Sequence, residues 1–193
     1  MKEIIGLNGK KYDNTIAENY FCVPAVLETV IKSEGYHNID KYSIAEYFGV
    51  TLPSHHGSLI KNINYSDKAE ELGIVLKTDS INKFFNSFNI ALIENYVKYS
   101  IVDRDFFVDF IRDVLLSGKH IICGFEYYSL YDKTNSTTKD YAGHVSIVFN
   151  VDLEKNTIFL LDPGPRLPGV HAVLSDDLYY SISKANDGLW VIS

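Results

Sequence analysis

A chain of 193 residues, 46% of them apolar, can bury a sizeable core and reads most simply as one globular domain over 1–193. The formal net charge is −7 and the 18 basic residues are scattered. No Lys/Arg run tracks a phosphate backbone or an anionic bilayer, which argues against nucleic acid and membrane as partners.

Met1 to Leu7 lack the basic start and apolar run of a secretion signal, and no stretch approaches the ~20 apolar residues of a membrane span. Cys22 and Cys123 are too few for a disulfide framework and fit a reducing compartment, so a cytoplasmic protein is expected. Fourteen Tyr and 11 Phe against one Trp and one Met favour an interior with aromatic strands.

The strongest element follows Cys22. Apolar residues at 23, 26, 27, 30 and 31 keep the rhythm of a helix with one buried face. Pro24 suits its first turn and Gly35 its stop. A short helix is expected from Ser43 to Phe48, then a loop at Pro53-Ser-His-His-Gly, then a turn of helix over Asp67 to Leu72. Asp79 to Phe88 and Asp103 to Leu116 are further helices.

Beyond about residue 118 the pattern becomes β-branched and aromatic. His120 to Tyr128 reads as a strand and Asp132 to Asp140 as a polar loop. His144 to Val151 and Thr157 to Asp162 flank a turn and form a hairpin. Asp162 to Gly169 is a Pro/Gly loop, Ser175 caps a helix from Asp176 to about Lys184, and Gly188 to Ser193 closes as a strand. The class is α+β, with helices over about 1–118 and an antiparallel sheet with one inserted helix over about 119–193.

Three residues at element ends carry the chemistry. A thiol at the start of a helix, as at Cys22, meets free backbone N–H groups and the positive end of the helix dipole, which favour the reactive thiolate. His144 opens one strand of the hairpin and Asp162 ends the other, so the two meet at one edge of the sheet. An imidazole oriented there by a carboxylate can take the thiol proton if the Cys22 helix packs on that sheet. Each residue alone has a plainer role: small core filler, surface histidine, turn aspartate. The combination and its chain order point to nucleophilic catalysis.

Asn19-Tyr-Phe-Cys-Val-Pro-Ala-Val-Leu, Gly143-His144, Leu161-Asp162-Pro163 and the closing Gly-Leu-Trp-Val-Ile resemble the papain-like peptidases of bacteriocin-processing (double-glycine leader) type and their stand-alone relatives. The resemblance runs in element order from about Asn14 to Ile192. It implies a papain-like fold, Cys22 as nucleophile, His144 as base, Asp162 as the orienting acid, no cofactor, and acyl transfer from a peptide or small amide or ester. In that family a Gln six residues before the Cys assists the oxyanion. Position 16 here is Ile, which leaves Asn19, or Asn14, to supply an amide beside the Cys22 N–H. Val23 replaces the more usual Gly.

The first functional reading is a bacterial cysteine hydrolase, a peptidase before other kinds. Acyl transfer to an amine, or deamidation, uses the same triad, and a catalytically silent peptide-binding module uses the same fold. His55-His56 has no Cys, His or carboxylate nearby at metal-ligand spacing and reads as loop, so no metal is expected. Cys123 lies in an apolar run as a buried filler, and His37, His120 and His171 have no evident partner.

Overall fold

The computed structural model describes residues 4–56, 61–68, 71–74, 76, 79–131 and 142–193. A hairpin of β1 (Ile4–Ile5) and β2 (Lys11–Tyr12) precedes helix α1, Cys22–Ser33. The apolar stripe of α1 is buried as its periodicity requires, and Gly35 ends it. At φ +91 Gly35 donates to the Lys32 carbonyl while Tyr36 N–H reaches back to Ile31. Helix α2, Lys41–Phe48, starts two residues before the expected Ser43 because the Asp40 carboxylate accepts the Ser43 N–H.

Strands β3 (Val50–Leu52) and β4 (Ile63–Tyr65) pair in parallel, and helix α3 spans Ser80–Ser87. Next come β5 (Glu94–Lys98), a 3-10 turn at Arg104–Phe106 and α4 (Phe107–Leu116). The second half supplies β6 (His120–Glu126), α5 (Tyr127–Tyr131), β7 (Gly143–Asp152), β8 (Thr157–Asp162), β9 (Gly169–Leu174), α6 (Ser175–Ala185) and β10 (Gly188–Ile192).

Six strands form one antiparallel sheet in the order β5-β10-β6-β7-β8-β9. On one face α1 packs Val26, Leu27, Val30 and Ile31 against Ile122, Ile147, Leu161 and Trp190. On the other, α4 and α6 pack Phe107, Ile111, Leu178 and Ile182 against Ile121, Leu160 and Leu189. With both faces covered, every residue of β6 is buried, which is why this strand reads as a continuous apolar run. The fold is α+β, helices on both sides of a large antiparallel sheet. No helix among the described residues is long and apolar enough to cross a membrane.

Several elements differ from expectation. The strand from His120 stops at Glu126, because the Glu126 carboxylate takes the N–H groups of Tyr128 and Ser129 and turns the chain into α5. Ser175 is the first residue of α6 rather than its cap, and is buried. β9 starts at Gly169, read as the end of the Pro/Gly loop, and runs on through residues 170–174, to which the sequence reading assigns no element. β5 carries the sheet into the half read as helical. The helical turn expected over Asp67 to Leu72 falls partly on residues 69 and 70, outside the described residues. The polar loop over 132–140 also lies outside them.

Candidate active site

The segment before α1 is fixed to the end of the hairpin. Asn14 Nδ2 donates to the Asp162 carbonyl at 2.8 Å, and Ala17 N–H donates to that of Pro163 at 2.8 Å. Thr15 N–H is held by Thr29 Oγ1 of α1 at 3.0 Å. Tyr20, at φ 72, then turns the chain so that Cys22 opens the helix. No side chain caps α1 and Pro24 has no N–H, so the amides of Cys22 and Val23 carry the positive end of the helix dipole beside the sulfur.

His144 and Asp162 come together through strand register. A bulge at Phe149 shifts the β7–β8 pairing so that Ile147 faces Leu161. His144 then lies diagonally across from Asp162, with Nε2 at 3.1 and 2.9 Å from the two carboxylate oxygens. The carboxylate is 1% exposed and has three further donors. Gly164 N–H gives 2.7 Å to Oδ1, Ser146 Oγ gives 2.9 Å to Oδ2, and Tyr131 Oη gives 3.2 Å to Oδ2. Four donors fix its position and leave it no freedom to swing.

The imidazole ring stands edge-on to Phe125 and Tyr127, both at 5.4 Å. Cys22 lines the same cleft and contributes to the electrostatics of the ring. With Nε2 taken by the carboxylate, Nδ1 is the nitrogen left for the thiol. Burial opposes a charge on His144, but hydrogen bonds and charge from Asp162 and Cys22 outweigh it and raise its pKa to about 9. Cys22 is partly exposed. It lies, with His144, in an open cleft of about 1210 Å³.

Of the two asparagines read as oxyanion candidates, Asn14 spends its amide on the Asp162 carbonyl. Asn19 is exposed, lines the cleft with Cys22, and its side-chain amide has no hydrogen-bond partner among the described residues. Cys123 is fully buried against the Ser146 carbonyl, and burial pushes its thiol pKa well up. His120 does have partners, Tyr12 and Glu34. His55 and His56 lie 5.6 Å apart, and no group of three or more metal-ligating side chains occurs among the described residues.

The sequence reading missed the residues that support the carboxylate. Ser146 had a usable signal, since it lies two residues from His144 and therefore on the same face of the strand. Tyr131 had none, because its approach depends on α5 replacing the expected strand.

The helix that opens on Cys22 thus packs on an antiparallel sheet that pairs His144 with Asp162. No family model matches the sequence, and no curated protein matches it either. Among solved structures the chain is similar to a protein from Bacillus anthracis described as a C39-like peptidase. The TM-score is 0.60 at 11% identity, over 100% of this chain and 98% of that one. At that identity the likeness speaks for the fold.

Proposed function

We propose that the protein is a cysteine hydrolase, in the first place a peptidase, with Cys22 as nucleophile, His144 as acid–base and Asp162 as the group that orients the imidazole. The observation that carries this reading is the hold of a fourfold-bonded carboxylate on His144 Nε2, with Nδ1 left open and Cys22 lining the same open cleft.

In the mechanism, the Cys22 sulfur attacks the scissile carbonyl carbon while its proton resides on His144. The C=O π electrons move to the oxygen, and the Cys22 N–H and the Asn19 amide stabilise this oxyanion. Collapse expels the amine, which takes its proton from His144, and leaves a thioester. Water, deprotonated by His144, then attacks the thioester and releases the acid, returning the proton to the Cys22–His144 pair. Asp162 holds the ring and stabilises the imidazolium without taking a proton.

The first test is iodoacetamide alkylation of Cys22 between pH 5 and 9, in the folded chain and in the same chain unfolded in urea. Peptide-mixture cleavage is read in parallel by mass spectrometry. Folded wild type should alkylate much faster at pH 6 than the unfolded chain, and His144→Ala should remove that advantage. Cys22→Ser and His144→Ala should each lower cleavage at least ~1000-fold. Folded and unfolded alkylation profiles that coincide, together with no new peptide termini, would leave the reading without support.

A further inference from the structure

The cleft does not end at Cys22, and its described lining carries one Lys or Arg, Arg166, against Glu18, Asp79, Glu94 and Asp187. On the β8–β9 side Arg166 donates to Tyr128 Oη at 2.9 Å and lies 5.5 and 5.4 Å from the ring centres of Tyr127 and Tyr128. On the β5–β10 side the lining charges are Asp187, Glu94 and Asp79; Lys98, at the other end of β5 from Glu94, is not among the lining residues.

Glu94 is the unusual member of this group. It is 8% exposed and sits in β5 opposite Ile192, with Asn82 gripping its backbone N–H and C=O at 2.7 and 2.8 Å. The grip fixes the main chain, while the carboxylate itself has no hydrogen-bond or ion-pair partner among the described residues. Burial, reinforced by Asp79, raises its pKa. Among the described residues no buried side-chain oxygen lacks a hydrogen-bond partner, so the Glu94 carboxylate is not sealed from water without one. It faces the cleft that the residue lines, with desolvation only partial.

The surroundings supply the rest of a cation site. Tyr96 and Trp190 face each other across β5 and β10 on the side where Glu94 lies. Tyr96 Oη donates to Asp187 Oδ1 at 3.3 Å. Asp187 is pressed against the sheet, and a Cβ on Gly124 would lie 2.1 Å from its Oδ2. The sheet leaves room for this carboxylate only because position 124 is glycine. Tyr96 and Trp190 lie between Asp187 at one end and Glu94 at the other. Aromatic walls that end on a carboxylate form a receptor for a long cationic side chain, which lays its methylenes on the rings and its charge against the acid.

We propose that the Glu94 end of the cleft is a subsite for a lysine or arginine side chain of the peptide substrate, with Glu94 as its counter-ion and Asp79 adding to the field. The proposal rests on the peptidase reading for the word substrate, but not for the site. Glu94 stands at the level of His120, the end of β6 away from Phe125 and His144. The cation therefore belongs to a residue several positions from the scissile bond.

Trp190 is the single tryptophan of the chain and lines the cleft, so its fluorescence reports on this site. The experiment titrates N-acetyl-arginine amide and, as the uncharged match, N-acetyl-citrulline amide onto the wild type, Cys22→Ser, Glu94→Gln and Glu94→Asp proteins. Arginine amide should give a saturable change that citrulline amide does not. Glu94→Gln should weaken it at least tenfold, Glu94→Asp should retain most of it, and Cys22→Ser should leave it unchanged. An equal response to citrulline amide, or arginine binding that survives Glu94→Gln, would overturn the subsite. A digest of a peptide mixture separates this outcome from the fate of the peptidase reading. Arginine binding without cleavage keeps the subsite and sinks the peptidase. Cleavage with no Lys or Arg enriched at a fixed distance, or with an enrichment that Glu94→Gln does not abolish, sinks the subsite alone.

Discussion

Asp162 reaches His144 diagonally across the β7–β8 ladder, and the place directly opposite Asp162 in the continued register belongs to Ser146. The two strand residues share one carboxylate, Ser146 Oγ on Oδ2 at 2.9 Å and His144 Nε2 within 3.1 Å of both oxygens. Asp162 is thus built into the sheet as a fixed acceptor, with Tyr131 and Gly164 completing its shell.

Asp162→Asn keeps the shape and removes the charge. It also gives His144 an amide that can present N–H to Nε2 and lock the wrong tautomer. Cleavage should fall ~100-fold or more, and the alkaline limb of kcat/KM should move down from about 9, the His144 value, because burial then acts without the carboxylate. Ser146→Ala removes one of four donors and should cost less than tenfold. A pH–rate profile of Asp162→Asn that falls in height but keeps its alkaline limb would show that Asp162 does not set the charge state of His144.

The same pair predicts a pH dependence of folding. The pKa of His144 is raised on folding from 6.5 to about 9, so the folded state holds this proton more tightly. The stabilisation is fully present below pH 6.5 and is lost as pH rises through about 9. It amounts to a few kcal/mol at most. Urea unfolding at pH 6 and pH 9.5 should show a decline in the wild type that is smaller in Asp162→Asn. Equal declines in the two proteins would assign the loss to other groups.

How much of this was visible in the sequence differs from residue to residue. The α1 helix and the His144–Asp162 hairpin were visible because their signals are local: a 3.6-residue rhythm, a glycine stop, two apolar runs about one turn. The proposed oxyanion amide was visible only as a choice between Asn14 and Asn19, and the Asn14 amide donates instead to the Asp162 carbonyl. Glu94 and Asp187 gave no signal. One comes from a five-residue strand in the half read as helical, and the other precedes β10, and only the β5–β10 pairing brings them to the cleft. β1 and β2, two residues each, are too short to show any period.

That short hairpin is nevertheless locked to the core. Tyr12 Oη lies 2.8 Å from His120 Nδ1, and Asn8 Nδ2 donates to the same hydroxyl at 2.7 Å. His120 Nε2 lies 2.7 Å from Glu34, which also pairs with Lys10 at 2.7 Å. His120 is 1% exposed, and burial lowers its pKa against the pull of Glu34. A neutral ring that donates from Nε2 to Glu34 and accepts the Tyr12 hydroxyl on Nδ1 satisfies every partner. Tyr12→Phe orphans Nδ1 and should destabilise the fold by ~1–3 kcal/mol in urea, with Cys22 alkylation unchanged in the folded protein. No loss of stability would mean that the hairpin contributes nothing to the core.

Glu94 sets stability against function in a way that can be measured without any ligand. Its pKa is raised on folding above the ordinary 4.5, so the folded state keeps the proton where the unfolded chain releases it. Stability therefore falls as pH rises from 4.5 through the folded value, and it stays reduced at neutral pH, where the charge is partly desolvated. Gln has the same shape and no charge to bury. Glu94→Gln should raise the melting temperature at pH 7.5 by several degrees, since ~1 kcal/mol moves a chain of this size by ~2–4 °C, and should change it little at pH 4. A residue retained at a cost to the fold is what a binding site requires and a structural site does not. If Glu94→Gln lowers the melting temperature at pH 7.5, the carboxylate is holding the fold together and the case for an open cation site falls with it.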